Sequence, residues 1–151
     1  MSSPDFAAYE AKCAAVRALQ AEILPTNKAA LFQALSYAGI RIVVVSFDGY
    51  GDSGQIESIT ATDDVGAEVA IPLTDITVKN VDFDACTIIE ATTTAGDFIE
   101  AMAYDFLEQT HDGWENGEGA FGEFTFDVGE QSITLEYSER YVETHYHEYE
   151  F

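Results

Sequence analysis

The sequence predicts an α+β fold: an N-terminal helical hairpin and a later helix packed on one face of a mainly antiparallel sheet, which ends in a three-stranded meander. Three observations point there. The first 38 residues are rich in alanine, with Phe6, Val16, Leu19 and Ile23, then Leu31, Leu35 and Ala38, falling on helical faces. Phe98, Met102 and Phe106 recur at i, i+4 and i+8. Much of residues 40–61 and 121–149 instead alternates apolar with polar side chains or runs through β-branched ones, the habit of strands. Helices and strands segregated in this way favour an antiparallel sheet with its helices on one side.

Taken in order, Ser3 caps a first helix over residues 3–24, with Pro4 at its first position. Pro25 and Thr26 break it and begin a second helix that runs to Ala38, where Gly39 stops it. The pair makes a helical hairpin or one helix with a sharp bend. Ile40–Phe47 reads as a strand buried on both faces. A glycine-rich loop, Asp48-Gly49-Tyr50-Gly51-Asp52-Ser53-Gly54, leads to a second strand from Gln55 to Ala61. Asp63-Asp64-Val65-Gly66 is a turn, and Ala67–Leu73 a short piece that Pro72 pushes to an edge. Residues 74–94, rich in Thr and Val, are ambiguous. Gly96–Gln109 is helical and His111–Gly119 a loop. Phe121–Val128, Gln131–Ser138 and Tyr141–Tyr149 complete the meander, with Gly129-Glu130 at its first turn.

A chain of 151 residues that is 47% hydrophobic suits a single domain over 1–151, long enough to fold on one core without disulfide or metal. Cys13 and Cys86 lack metal-like spacing and read as reduced core residues. No basic-then-apolar leader and no apolar run of spanning length is present, so a cytoplasmic protein is expected.

Charge is the most informative property. Six Lys and Arg stand against 28 Asp and Glu, a net of −22. Residues 1–47 carry +1 and residues 48–151 carry −23, the last forty alone −10. Such a chain does not bind a nucleic-acid backbone directly, nor dock on an anionic membrane. In the meander, Glu123, Thr125 and Asp127 share one strand face, Thr134, Glu136 and Ser138 the next, and Glu143, His145 and His147 the third. A carboxylate face opposite the helices is expected, spaced to approach a phosphate array. The bland alternative is the solubilising surface of a salt-adapted protein; the near-neutral first third speaks against it.

Two sites with metal chemistry are candidates. Asp48, Asp52 and Glu57 place oxygen donors among glycines, as a hard divalent cation requires, but off the EF-hand register. The plainer reading is a turn whose Asp and Ser cap backbone amides. His145-x-His147 sets two imidazoles on one strand face, a Zn²⁺ spacing if Glu143 or Glu136 converges; otherwise both are solvent-facing. Asp52-Ser53-Gly54 lacks the Gly-x-Ser-x-Gly elbow, and the three histidines lie at the other end of the chain, so serine hydrolysis is disfavoured. Trp114, the only Trp, sits among glycines and acids, either as a partner anchor or as a pin that fixes its loop to the core.

The strings Phe47-Asp48-Gly49-Tyr50-Gly51-Asp52-Ser53-Gly54-Gln55-Ile56-Glu57, Gly113-Trp114-Glu115-Asn116 and Gly119-Ala120-Phe121-Gly122-Glu123-Phe124-Thr125-Phe126-Asp127, with His147-Glu148-Tyr149-Glu150-Phe151, resemble a family of small acidic bacterial proteins of unknown function. The resemblance covers most of the chain and transfers no catalytic residue. It implies a bacterial, plasmid or phage source, where small acidic proteins act as inhibitors of defence nucleases, an argument by analogy.

The expectation is therefore a non-enzymatic binding protein with no catalytic residue and no resident cofactor. It mimics nucleic acid toward a basic DNA- or RNA-binding partner, as an anti-restriction or anti-CRISPR inhibitor would. Trp114, Glu115, Glu118, Glu123, Asp127, Glu136, Glu139 and Glu143 are its candidate contacts. The alternatives are a divalent-metal protein or hydrolase using Asp48, Asp52, Glu57, His145 and His147, and a salt-adapted domain without mimicry.

Overall fold

The computed structural model describes residues 4–50 and 53–151. Its elements are helix α1 (Pro4–Tyr37), strands β1 (Ile42–Tyr50), β2 (Ser53–Thr62), β3 (Glu68–Val69), β4 (Asp75–Asp82) and β5 (Thr87–Thr94), helix α2 (Ala95–His111), and strands β6 (Ala120–Asp127) and β7 (Ser132–Glu139). Five strands form one antiparallel sheet in the order β3-β2-β1-β6-β7, and β4 and β5 form a separate two-stranded sheet. The fold is α+β, as the sequence predicts.

The expected break at Pro25 does not occur: α1 is one helix that contains the proline. Pro25 and Thr26 face solvent, where water can bind the carbonyl that the missing N–H leaves free, while Ile23 and Asn27 on either side are buried. Helix packing therefore carries the chain through the proline. The expected cap, Ser3, lies outside the described residues. At the far end Gly39 adopts φ +79°, and the Ile40 N–H donates to the Leu35 carbonyl at 3.0 Å, closing the helix as expected.

The strand expected at Ile40–Phe47 starts two residues later and runs on to Tyr50, so most of the glycine-rich loop belongs to a hairpin. Gly49 pairs with Gly54 and Tyr50 with Ser53, and Gly51 and Asp52 lie outside the described residues. β1 is not buried on both faces. Val43, Val45 and Phe47 are buried, whereas Ile42, Val44, Ser46 and Asp48 on the other face are only half-buried, because no helix or second sheet among the described residues covers that side.

Of Ala67–Leu73 only β3 pairs, and the ambiguous stretch 74–94 resolves into the β4–β5 hairpin. α2 begins one residue earlier than expected, the Thr94 hydroxyl accepting from the Asp97 N–H at 3.3 Å. The third meander strand, Tyr141–Tyr149, is absent: residues 140–151 belong to no strand. Returning the chain after β7 would take a tight turn with φ > 0, and Glu139-Arg140 lacks the Gly or Asn such a turn favours.

One core holds the fold. Leu31, Phe32 and Leu35 of α1 and Ile99, Met102 and Leu107 of α2 pack with Val43, Val45, Phe47, Phe124 and Phe126 of the sheet. The N-terminal half of α1 reaches past this core to the β4–β5 hairpin, with Tyr9 6.3 Å from Phe83 between ring centroids and Lys12 Nζ 4.8 Å above the Phe83 ring. Among the described residues, no helix is long and apolar enough to cross a membrane.

Candidate partner-binding surface

The uncovered face of the five-stranded sheet can be read row by row from its register. Glu68, Thr62, Ile42, Asp127 and Ser132 form one row; Thr60, Val44, Thr125 and Thr134 the next; Ser58, Ser46, Glu123 and Glu136 the third; and Gln55, Asp48, Phe121 and Ser138 the last. Glu57 falls at a bulge opposite the Ser46–Phe47 step. The expected alternation of β6 and β7 is borne out, with Phe124 and Phe126 on the core side. The face is not a carboxylate array, however. Five carboxylates stand among eight Ser and Thr hydroxyls, because those residues take more of the outward positions than any other kind.

Charge on this face is arranged unevenly. Arg41 Nη2 lies 3.8 Å from Asp127 Oδ1 at one end. At the other, Arg140 grips Asp48 through Nη1–Oδ1 at 2.9 Å and Nη2–Oδ2 at 3.1 Å. Arg140 Nη1 also donates to the Gly49 carbonyl at 3.1 Å, and the guanidinium stacks 4.7 Å above the Phe121 ring. Between these ends Glu123 and Glu136 are directly cross-strand neighbours and, among the described residues, form no ion pair. Like charges so placed repel. The sequence therefore maintains a local electrostatic cost at the centre of an open surface.

The other candidate residues do not all join this face. Trp114 is buried, 7% exposed, and meets Phe47 edge-on at 5.4 Å. A Cβ on Gly49 would come within 2.7 Å of the indole, and one on Gly54 within 2.6 Å. Gly119, at φ +78°, lies so close that a Cβ would strike the Gly49 carbonyl. The glycines thus clear a seat for Trp114 against the β1–β2 hairpin: the indole pins its loop and does not stand out as an anchor. In the sequence these glycines belong to two glycine-rich loops, and the lone Trp within one of them is the only local sign of the seat.

Glu115 lines a cleft of about 330 Å³ with Tyr104, Glu108, Asp112 and Trp114, on the helix side of the sheet. The Tyr104 hydroxyl accepts from the Ile56 N–H at 3.0 Å. Glu139 also falls on the helix side, its carboxylate 3.9 Å from His111 Nδ1. The His111 ring stacks on Tyr137 at 3.6 Å, and burial, then Glu139 and Glu115, raise the Tyr137 phenol above its ordinary value. Asp105 on α2 is raised by burial and then by Glu108. Glu118 is exposed in the loop before β6, and Glu143 lies in the segment after β7. A larger groove, about 650 Å³ between the end of α1 and the β6–β7 turn, has no charged side chain in its lining.

The metal candidates are scattered. Asp48 is held by Arg140, Asp52 lies outside the described residues, and Glu57 is exposed at the bulge. His145 and His147 are exposed, His145 Nε2 lying 3.6 Å from Glu143 Oε1. Among the described residues no group of three or more His, Cys, Asp or Glu is gathered as a metal site would be. Cys13 and Cys86 are both free and only partly buried, so neither is the core residue expected.

No curated protein and no solved structure matches this chain. A family model matches residues 23–151, from the middle of α1 through β7 to the last residue, and its description, a family of unknown function, agrees with the expected membership of such a family. The chain belongs to the family of unknown function DUF6878.

Proposed function

We propose that this chain is a non-enzymatic acidic binding protein whose open sheet face and acidic surroundings engage a basic protein, one that otherwise holds nucleic acid. The observation that carries this reading is the distribution of charge. Outside α1 and the β4–β5 hairpin there are 21 acidic residues and two basic ones, Arg41 and Arg140, both already paired at the ends of the open face. A surface so depleted of free cations attracts a basic groove within about a Debye length, a reach that grows as salt falls, and so speeds encounter at low salt. Hydroxyls between the carboxylates add hydrogen-bonding groups that suit arginine and lysine side chains. Inhibition of a restriction, CRISPR or regulatory nucleic-acid-binding protein by occupying its groove is the specific form proposed.

Binding to a panel of basic DNA- and RNA-binding proteins, titrated from about 0.05 M to about 0.5 M salt, tests the reading. It expects at least one partner bound at low salt, with affinity falling at least about ten-fold over that range. Binding indifferent to salt, or none at low salt, would overturn it.

A further inference from the structure

Two features of this chain have the form of half a β-pairing. The first is the outer edge of β5. β5 pairs with β4 alone, and among the described residues no strand occupies its other side. Ile88 and Ile89 are 38% and 45% exposed. The strand has eight residues, one charge (Glu90) and neither Lys nor Pro, whereas natural edges are commonly blunted by charge, proline or a bulge.

The second is the segment after β7. The Arg140 N–H donates to the Gly119 carbonyl at 2.9 Å, extending the β6–β7 ladder by one step, and among the described residues no backbone hydrogen bond engages 141–151. Tyr141, Tyr146, Tyr149 and Phe151 are 75% exposed or more. The segment's own contacts join residues two apart: Glu143 with His145, Tyr146 with Glu148, and His147 with Tyr149. Same-side neighbours at i and i+2 are the pattern of an extended strand. The composition, Tyr-Val-Glu-Thr-His-Tyr-His-Glu-Tyr, favours a strand too.

We propose that Tyr141–Tyr149 of one copy adds as a strand to the β5 edge of a second copy, and reciprocally, giving a strand-exchanged dimer. The segment contains no Gly, Pro, Asn or Asp at which to fold back on β7. The β7 edge is also hostile, since β7 carries Glu136 and Glu139 and the segment itself carries Glu143 and Glu148, and β3 is only two residues long. β5 itself carries one charge, Glu90, and Lys79 stands directly opposite it on β4, while the neighbouring helix α1 is neutral overall. The pairing is intermolecular for reasons of reach. The segment leaves beside the loop that ends α2, while β5 meets the other end of that helix, about 25 Å away at 1.5 Å per residue. Tyr141 follows Arg140 directly, so Tyr141–Tyr149, about 30 Å long when extended, would spend most of its length crossing that gap and leave too few residues to cover an eight-residue strand.

Light scattering coupled to gel filtration, on the full chain in about 0.5 M salt to screen its charge, tests the proposal. Two variants accompany it: a chain ending at Arg140, and Ile89→Lys on the exposed edge. The full chain is expected to form a concentration-dependent dimer, each variant to dissociate at least about ten-fold more readily, and an equal mixture of the two to form a heterodimer. A monomeric full chain, a truncated chain that dimerises as well as the full one, or a mixture that stays monomeric would overturn it. Salt strengthens this association and weakens binding of a basic partner, so failure of one is distinguishable from failure of the other.

Discussion

Trp114 and the glycines beneath it show how single atoms set the shape of this molecule. Replacing Gly54 with Ala puts a methyl group 2.6 Å from the indole, and overpacking of that kind costs about 1–3 kcal/mol. Trp114→Ala, which empties the seat, should cost about 3–5 kcal/mol in urea unfolding. The pair should be less than additive, because the methyl then has room. Asp105 gives a pH signature. Its carboxyl is raised by burial and by Glu108, so the folded state holds that proton more tightly than the unfolded state does. Stability therefore falls as pH rises from the unfolded aspartate value of about 3.9 through the raised one. Asp105→Asn should raise the melting temperature near neutral pH, with the gain vanishing in acid; a gain that persists there would exclude this cause.

At the scale of elements, Asn27 joins α1 to β4. Its side chain accepts from the Lys79 N–H and donates to the Lys79 carbonyl, both at 2.8 Å, and so imitates a neighbouring strand on an otherwise open edge. Asn27→Ala leaves both backbone groups unpaired and should cost about 2–3 kcal/mol, read by chemical unfolding. On the open face the expectation has the opposite sign. Glu136→Gln relieves its repulsion with Glu123 and should stabilise the protein by about 0.5 kcal/mol while weakening binding of a basic partner.

Elements with strong periodicity were legible in the sequence. α2, β6, β7 and the Gly39 stop follow from local pattern and end chemistry. Pro25 misled because burial of Ile23 and Asn27 outweighs one lost hydrogen bond. The β4–β5 hairpin was obscure because it lies apart from the main sheet and is largely exposed, so its alternation is weak. Tyr141–Tyr149 has a strand's composition but no turn to bring it back, and a partner strand is a property of the tertiary arrangement. At the candidate surface, alternation placed Glu123, Asp127 and Glu136 together, whereas the burial of Trp114 and the position of Glu139 beside His111 depend on contacts between distant segments.

Taken whole, the molecule is electrically lopsided. A module of α1 with the β4–β5 hairpin carries −3, and the rest of the chain carries −19. Self-repulsion in the second part should make the melting temperature rise with added salt, since screening shortens the reach of like charges to about 8 Å or less. That response is shared by a salt-adapted protein and does not separate the readings. Release of labelled duplex DNA from a basic DNA-binding protein does. Wild-type protein and the Glu123→Gln/Glu136→Gln variant would be titrated against the preformed complex in about 0.05 M salt. The account predicts that wild type displaces the duplex and that the variant, though more stable, needs at least several-fold higher concentration. Equal potency of the two, or no displacement from any basic protein tried, would contradict it.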